Sequence, residues 1–298
     1  FDSSPFWWPT VMSLYGFESP SPQPTGGQRH ALPECFELDR VVVSSQKAHF
    51  ENMLKRIPID RRAIFELEDL GFNTQQRLPI IRFDRWFPRA SQVNMFERIT
   101  AYAYTDDCAF AHTVNRLMLQ EDWQTLLGRY GHVVKSLWSY INKMQSTYGK
   151  EQLLYRGIRL PPQNLGNYAE GQVFFWNAFT STSTSKQVAV EFAMGATRMR
   201  HDIPVVFEIT TLTRGAPILG WSKFPAEQEV LLMPYQGFRV LGMCREVWEK
   251  KGWSESVLVV ELQTVCVRDF SLCLNVVFVV STFVATFVAV AALSRKRK

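Results

Sequence analysis

Apolar residues in the first half of the chain recur every three or four positions, which is the spacing of one face of an α-helix. Val133, Leu137 and Met144, for example, fall on one helical stripe. The pattern predicts helices over residues 46–56, 94–104, 109–120 and 131–148. We therefore expect a helical lobe over residues 45–150.

After residue 150 the pattern changes to short apolar runs rich in β-branched and aromatic residues, which are typical of strands. Residues 186–194 keep helical spacing and follow Thr184 and Ser185, either of which can serve as the N-cap. Strands are predicted over residues 153–158, 172–179, 205–210, 229–233, 238–243 and 256–264. Helices followed by strands favour an α+β fold, with the helices packed on a sheet over residues 151–267.

Both ends of the sequence differ from the part between them. Residues 1–44 are rich in proline and serine without periodicity, and we expect a flexible arm there. Residues 270–294 contain no charged side chain, and at about 1.5 Å per residue they exceed the roughly 30 Å apolar core of a bilayer. This segment predicts one transmembrane helix. The basic residues 295–298 favour a short cytoplasmic tail, with the rest of the protein extracellular or lumenal. The alternative topology is a tail-anchored protein with its large N-terminal part in the cytosol.

The formal net charge of +5 adds little to this picture, because the last four residues are all basic. Without them the chain is nearly neutral, which is not the charge of a nucleic-acid-binding surface. The five cysteines include no CxxC pair, and Cys108 and His112 have no second pair of metal ligands near them in the sequence. We expect neither nucleic acid as a partner nor a bound metal.

Three short segments carry candidate chemistry: Tyr155–Gly157, Phe179–Ser183 and Glu227–Glu229. Each segment alone is a weak indication of function, because an Arg-Gly pair, a Ser/Thr run and a Glu-x-Glu sequence all occur by chance. Together, in this order and spacing, they resemble the Arg–Ser–Glu signature of the arginine-specific mono-ADP-ribosyltransferases. The helical pieces at Ile99–Thr105 and Val114–Leu117 also resemble the helical lobe of that family.

The resemblance covers residues 45–267 and is strong only from 153 to 265. It implies an α+β fold in which the helical lobe packs on a β-sandwich-like NAD-binding core. It also implies an enzyme that transfers ADP-ribose from NAD to an arginine of an acceptor protein and releases nicotinamide. NAD would then be a co-substrate, and no metal is needed. The absence of GxGxxG and GxxxxGK[ST] motifs agrees with NAD binding outside the Rossmann and P-loop modes.

The resemblance assigns roles to four residues of these segments. Glu229 would stabilise the positive charge that develops on the ribose and would accept a hydrogen bond from the 2′-hydroxyl. Ser181 would hold that carboxylate and contact the nicotinamide ribose. Arg156 would bind the NAD pyrophosphate or its ribose through its planar set of donors. Gly157, without a Cβ, would let the main chain approach the nicotinamide, and we expect Tyr155–Gly157 to end a strand.

Glu227 and Phe224 are the candidates for recognising the acceptor. In an extended segment Glu227 would lie on the same face as Glu229, and its carboxylate could bind the acceptor guanidinium and take up its proton. The resemblance places Phe224 on the substrate-recognition turn, where its ring could stack on the guanidinium. A buried anchor of the turn is an equally good interpretation of Phe224.

Two other functions are compatible with the same motifs. NAD glycohydrolysis, with water as the acceptor, needs the same Arg156, Ser181 and Glu229 but not Glu227. A non-catalytic membrane interaction module with the same fold is a second alternative. The resemblance also implies a disulfide between Cys35 and Cys266, which flank the domain, if the domain is extracellular.

Overall fold

The helical and strand segments fall in the two halves of the chain that the apolar spacing predicts. The structure is a computed structural model and describes residues 45–77, 92–106, 108–145, 152–195, 202–211, 215–218, 222–250 and 253–265. The predicted arm, the segment 270–294, the basic tail and the cysteines Cys35 and Cys266 lie outside the described residues. Within the described ranges, no helix is both long and apolar enough to cross a membrane.

Among the described residues, six helices form the N-terminal lobe and a seventh lies among the strands. In chain order they are α1 (45–55), α2 (Arg62–Asp69), α3 (Thr74–Arg77), α4 (Met95–Tyr104), α5 (Phe110–Leu119), α6 (Trp123–Gln145) and α7 (Lys186–Gly195). The helices predicted over 94–104, 109–120 and 186–194 are confirmed. Helix α6 starts eight residues before the predicted residue 131, and the sequence did not predict α2.

Two carboxylates cap helices of the lobe, one at the start of α4 and one just after a kink in α6. Asn94 and Glu97 form a capping box at the start of α4, each side chain accepting the other's main-chain N–H. Tyr130 has a non-helical conformation that kinks α6. The Glu66 carboxylate, on α2, accepts the main-chain N–H groups of His132 and Val133 just after this kink, at 3.2 and 2.7 Å. Glu66 thus caps the second half of α6 from a neighbouring helix.

In the described part of the chain, eight strands form one mixed sheet in the order β2-β7-β8-β4-β1-β3-β6-β5. They are β1 (Gln152–Leu160), β2 (Val173–Trp176), β3 (Thr180–Ser183), β4 (Ile203–Thr211), β5 (Ala216–Pro217), β6 (Glu229–Leu232), β7 (Gln236–Lys250) and β8 (Trp253–Val265). The β4–β8 pair is parallel and the other pairs are antiparallel.

The expected β-sandwich-like core is therefore a single continuous sheet, as far as the described residues show. One face of it buries a cluster to which β1, β4, β6, β7 and β8 all contribute, and which includes no α-helix residue among those described. The 3₁₀ helix Pro162–Tyr168 covers part of this face through Leu165 and Tyr168. The opposite face packs on α7 through Ala189, Val190 and Ala193.

Long-range hydrogen bonds join the helical lobe to the sheet. The Tyr104 hydroxyl, at the end of α4, donates to the main-chain oxygen of Phe179 at 3.2 Å, just before β3. The Tyr140 hydroxyl, on α6, donates to the main-chain oxygen of Pro217 in β5 at 2.8 Å. The first bond reaches the second sequence motif itself, and the second bond reaches β5, which pairs with the strand that begins at Glu229.

Candidate active site

Arg156 lies in the middle of β1. The prediction that Tyr155–Gly157 would end a strand is wrong, because β1 continues to Leu160 and pairs with β4 along its whole length. The Arg156 guanidinium donates from Nη1 to the main-chain oxygen of Ser181 at 2.6 Å. Its central carbon lies 5.7 Å from the centroid of the Trp176 ring. The guanidinium is thus oriented by β3 and by an indole of β2.

Gly157 lies where α7 crosses β1. A Cβ atom at this position would be 1.6 Å from the main-chain oxygen of Ala189 and 2.9 Å from the main-chain nitrogen of Ala193. Only glycine allows α7 to approach this closely. The structure therefore gives Gly157 a packing role that the sequence did not predict, while its contact with nicotinamide stays a prediction.

The pairing of β3 with β6 brings Ser181 close to Glu229. Ser183 lies directly opposite Glu229, and Ser181 lies opposite Leu231. Ser181 is therefore the diagonal neighbour of Glu229 on the same face of the sheet. The Ser181 hydroxyl lies close enough to the Glu229 carboxyl group to lower its pKa, so the second and third motifs meet through strand register.

The Glu229 side chain is almost completely buried, with 4% of the residue exposed. Its pKa is raised to about 7, mainly by burial and also by the nearby Glu227, while Ser181 and Arg156 lower it. Among the residues that the structure describes, none donates a hydrogen bond to Oε1 of Glu229. A buried carboxyl oxygen without a donor is unfavourable, and a ligand hydroxyl would satisfy it.

Glu227 ends a 3₁₀ helix, Pro225–Glu227, instead of lying in extended chain. The prediction that Glu227 and Glu229 project from one extended segment is wrong. Gln228 between them has φ 48° and ψ 45°, a left-handed conformation that turns the chain before β6 begins. The two carboxyls still interact, because Glu227 raises the pKa of Glu229. Burial also raises the pKa of Glu227 to about 7.

Residues 222–228 form the turn that leads into β6, and we refer to them as the 222–228 turn. Phe224 lies on it with 37% of its surface exposed, which does not fit a buried anchor. At the C-terminal end of the turn, the Ser183 hydroxyl donates to the main-chain oxygen of Glu227 at 2.6 Å. The Thr184 hydroxyl donates to Oε1 of Gln228, also at 2.6 Å. Phe224 and Glu227 therefore lie on the more exposed side of the site, and Glu229 is buried.

The assembled site combines one guanidinium, one serine hydroxyl and two carboxyls that titrate near neutral pH. Such a set can bind an anionic group at Arg156 and stabilise positive charge at Glu229. Sequence reasoning missed Trp176, whose only signal was its place in an aromatic-rich strand. It also missed Thr105 and Asp106, which contact the 222–228 turn from the end of α4 and have no local signal in the sequence.

The family profile described as NAD:arginine ADP-ribosyltransferase matches residues 69–251, more than half of the chain. The chain belongs to this family. The matched range contains every candidate residue of the site, from Arg156 to Glu229. The resemblance noted in the sequence is confirmed.

Two relatives of the family are similar to parts of this chain. The putative NAD(+)--arginine ADP-ribosyltransferase Vis of Vibrio splendidus (strain 12B01) is 32% identical over 111 residues, which are 36% of this chain and 42% of that protein. NAD(P)(+)--arginine ADP-ribosyltransferase 2 of Gallus gallus is 35% identical over 89 residues, which are 30% of this chain and 23% of that protein. The chain thus spans less than half the length of each of these relatives.

Solved ADP-ribosyltransferase structures are also similar to this chain. The crystal structure of Vis in complex with M6 inhibitor covers 72% of this chain and 90% of that chain, with 21% identity and a TM-score of 0.47. The structure of HopU1 of Pseudomonas syringae pv. Tomato DC3000 covers 74% and 97%, with 17% identity and a TM-score of 0.48.

Proposed function

We propose that this protein transfers ADP-ribose from NAD to an arginine side chain of an acceptor protein and releases nicotinamide. The observation that carries the proposal is the buried Glu229 carboxyl, which has one oxygen without a described donor and lies beside Ser181 and Arg156. Membership of the family and the names of the two relatives support NAD as the co-substrate and arginine as the acceptor.

The first half of the proposed reaction breaks the bond between C1′ of the ribose and the nicotinamide nitrogen. The bonding electron pair leaves with nicotinamide, and positive charge develops on the ribose. Ionised Glu229 stabilises that charge, and its free Oε1 accepts a hydrogen bond from the 2′-hydroxyl. Arg156, fixed between Ser181 and Trp176, binds the pyrophosphate or its ribose.

The second half forms a bond between C1′ and a guanidinium nitrogen of the acceptor. Phe224 offers an exposed ring on which the guanidinium can stack. Glu227 accepts the proton that the guanidinium nitrogen loses as the new bond forms. A carboxyl with a pKa raised to about 7 is suited to this step, because it binds that proton near neutral pH.

The raised pKa values determine the expected pH dependence. Below about pH 7 both carboxyls are protonated, so Glu229 cannot stabilise positive charge and Glu227 cannot accept a proton. NAD cleavage and arginine modification should therefore both increase as the pH rises through about 7.

The test uses the full chain, NAD labelled in the adenosine part and agmatine as a soluble guanidino acceptor. Transfer of label to agmatine with release of nicotinamide supports the proposal. Nicotinamide release without transfer would favour NAD hydrolysis, and the absence of both products would favour an interaction module. The Glu229→Gln variant should lose both products by about a thousandfold, the upper range for one electrostatic group in an active site.

We also propose that residues 270–294 anchor the protein in a membrane, with the basic residues 295–298 on the cytoplasmic side. The support is the uncharged apolar run and the basic cluster that follows it. In sealed vesicles carrying the full chain, external protease should leave a lumenal domain intact. Digestion of the domain without detergent would contradict this orientation, and release of the chain by alkaline carbonate would contradict the anchor.

A further inference from the structure

The 222–228 turn is attached to the helical lobe at its N-terminal end. The main-chain N–H of Lys223 donates to the Thr105 hydroxyl at 2.9 Å, and this hydroxyl donates to the main-chain oxygen of Tyr102 at 2.8 Å. The Lys223 ammonium lies 2.9 Å from a carboxylate oxygen of Asp106. Thr105 and Asp106 directly follow α4, so the end of this helix holds the start of the turn.

The ion pair between Asp106 and Lys223 is largely shielded from water. The side chain of Asp106 is 5% exposed and that of Lys223 is 18% exposed. Water and salt screen a pair in this setting less than one on the surface, and breaking it leaves a buried charge without its partner. The pair can therefore fix the position of the chain on either side of Lys223.

Phe224 is the next residue, and its ring is held by the same ammonium. The Lys223 Nζ lies 5.2 Å from the centroid of the Phe224 ring, within the range of a cation–π contact. The ammonium thus covers part of the ring, and an acceptor guanidinium must approach the part that stays exposed. Moving Lys223 would change both the position of the ring and the surface that it offers.

We propose that Asp106 and Lys223 are positioning residues for the arginine acceptor, acting through Phe224. This inference rests on the proposed function and names a part of the helical lobe as a determinant of acceptor binding. The groups proposed to act on NAD are held separately, by the β1 and β3–β6 strands. Loss of the ion pair should therefore weaken acceptor binding and leave NAD cleavage almost intact.

The test is a double-mutant cycle in the full chain with Asp106→Asn, Lys223→Met and the combined variant. For each we measure the KM for agmatine and, without agmatine, the rate of nicotinamide release. Each single variant should raise the agmatine KM by about tenfold, and the combined variant should be no worse than either, because both remove the same interaction. Lys223→Arg should keep the KM within about twofold, since it preserves the charge and reach.

The control is Glu255→Gln, which removes another partly buried ion pair, with Arg159, on β8 and β1. It should leave the agmatine KM unchanged. Additive losses in the cycle, an unchanged KM, or equal losses of transfer and nicotinamide release would each overturn the inference. A wild-type chain that forms no product would instead overturn the proposed function itself, so the two failures are distinguishable.

Discussion

Ser181 and Glu229 are positioned by a ladder of four residue pairs between β3 and β6, whereas Phe224 and Glu227 are positioned by side-chain bonds at the two ends of a turn. The strand half of the site is also covered by α7, whose main chain lies against Gly157. The turn half has an exposed aromatic ring, and it ends at Gln228, whose positive φ separates Glu227 from Glu229 of the strand half.

This difference separates two tasks. The charge that develops on a ribose needs a carboxylate that does not move, and strand pairing provides it. An acceptor protein binds through residues on the surface of this protein, and a turn held at both ends can place Phe224 and Glu227 in contact with the acceptor. Changes in the strands should therefore affect all activity, and changes in the turn should affect the acceptor first.

The largest effect is expected for Gly157→Ala. The new Cβ would overlap the main chain of α7, so helix and strand must separate, and we expect at least about 3 kcal/mol of lost stability. Urea unfolding measures it. Gly242→Ala, in β7, is the control, because nothing lies within 4 Å of the position its Cβ would take. Equal effects of the two would show that α7 does not fix β1.

A stability change that depends on pH is expected for Glu229→Gln. The folded pKa is about 7 and the ordinary value is 4.5, so between these values the folded state holds a proton that the unfolded chain has lost. Wild-type stability therefore falls as the pH rises through this window, by up to about 3 kcal/mol. The glutamine cannot ionise, so the stability of the variant does not fall in this pH window. The variant should therefore be more stable than wild type at pH 8 and about as stable at pH 4.5.

Urea unfolding at the two pH values checks this, with Glu170→Gln, at an exposed position, as the control for losing one negative charge. A stability difference of the same size at both pH values would contradict the burial of an ionisable Glu229.

Glu227→Gln should separate the two halves of the site. Replacing a carboxylate that binds a guanidinium weakens a charged hydrogen bond by about 2 kcal/mol, or roughly thirtyfold in agmatine modification. Nicotinamide release without acceptor should change by less than about threefold, because Glu229 remains. Parallel assays of both products measure the split, and equal losses would assign Glu227 to the NAD half instead.

The smallest effect is expected for Ser183→Ala, which removes one anchor of the 222–228 turn. The Ser183 hydroxyl donates to Glu227 and accepts from the main chain of Ser185 at 2.9 Å, so about 1 kcal/mol of stability should be lost. The agmatine KM should rise a few-fold. The control is Thr211→Val, which removes a comparable hydroxyl-to-carbonyl bond to Gln152 and should leave the agmatine KM unchanged. If the agmatine KM also rose in this control, the rise in Ser183→Ala could not be assigned to the turn.

Local patterns were sufficient for most elements of the fold. The helices over 94–104 and 186–194 have apolar spacing and capping residues, and the structure selects Ser185 as the cap of the second through its contact with Val188. The strand predicted over 238–243 extends in fact to Lys250. The second half of this strand pairs with β8 and is mostly exposed. An exposed segment needs no alternating apolar residues, so the sequence there gives no clear strand pattern.

The sequence by itself determined the family, the order of helices and strands, and the residue types of the site: an arginine, a serine and two glutamates. Only the tertiary structure decided that Gly157 serves helix packing, that Gln228 turns the chain between the two glutamates, and that Asp106 holds Lys223. The physical reason is range. Periodicity and capping act within a few residues, whereas these features depend on groups that the sheet and the helical lobe bring together from distant positions.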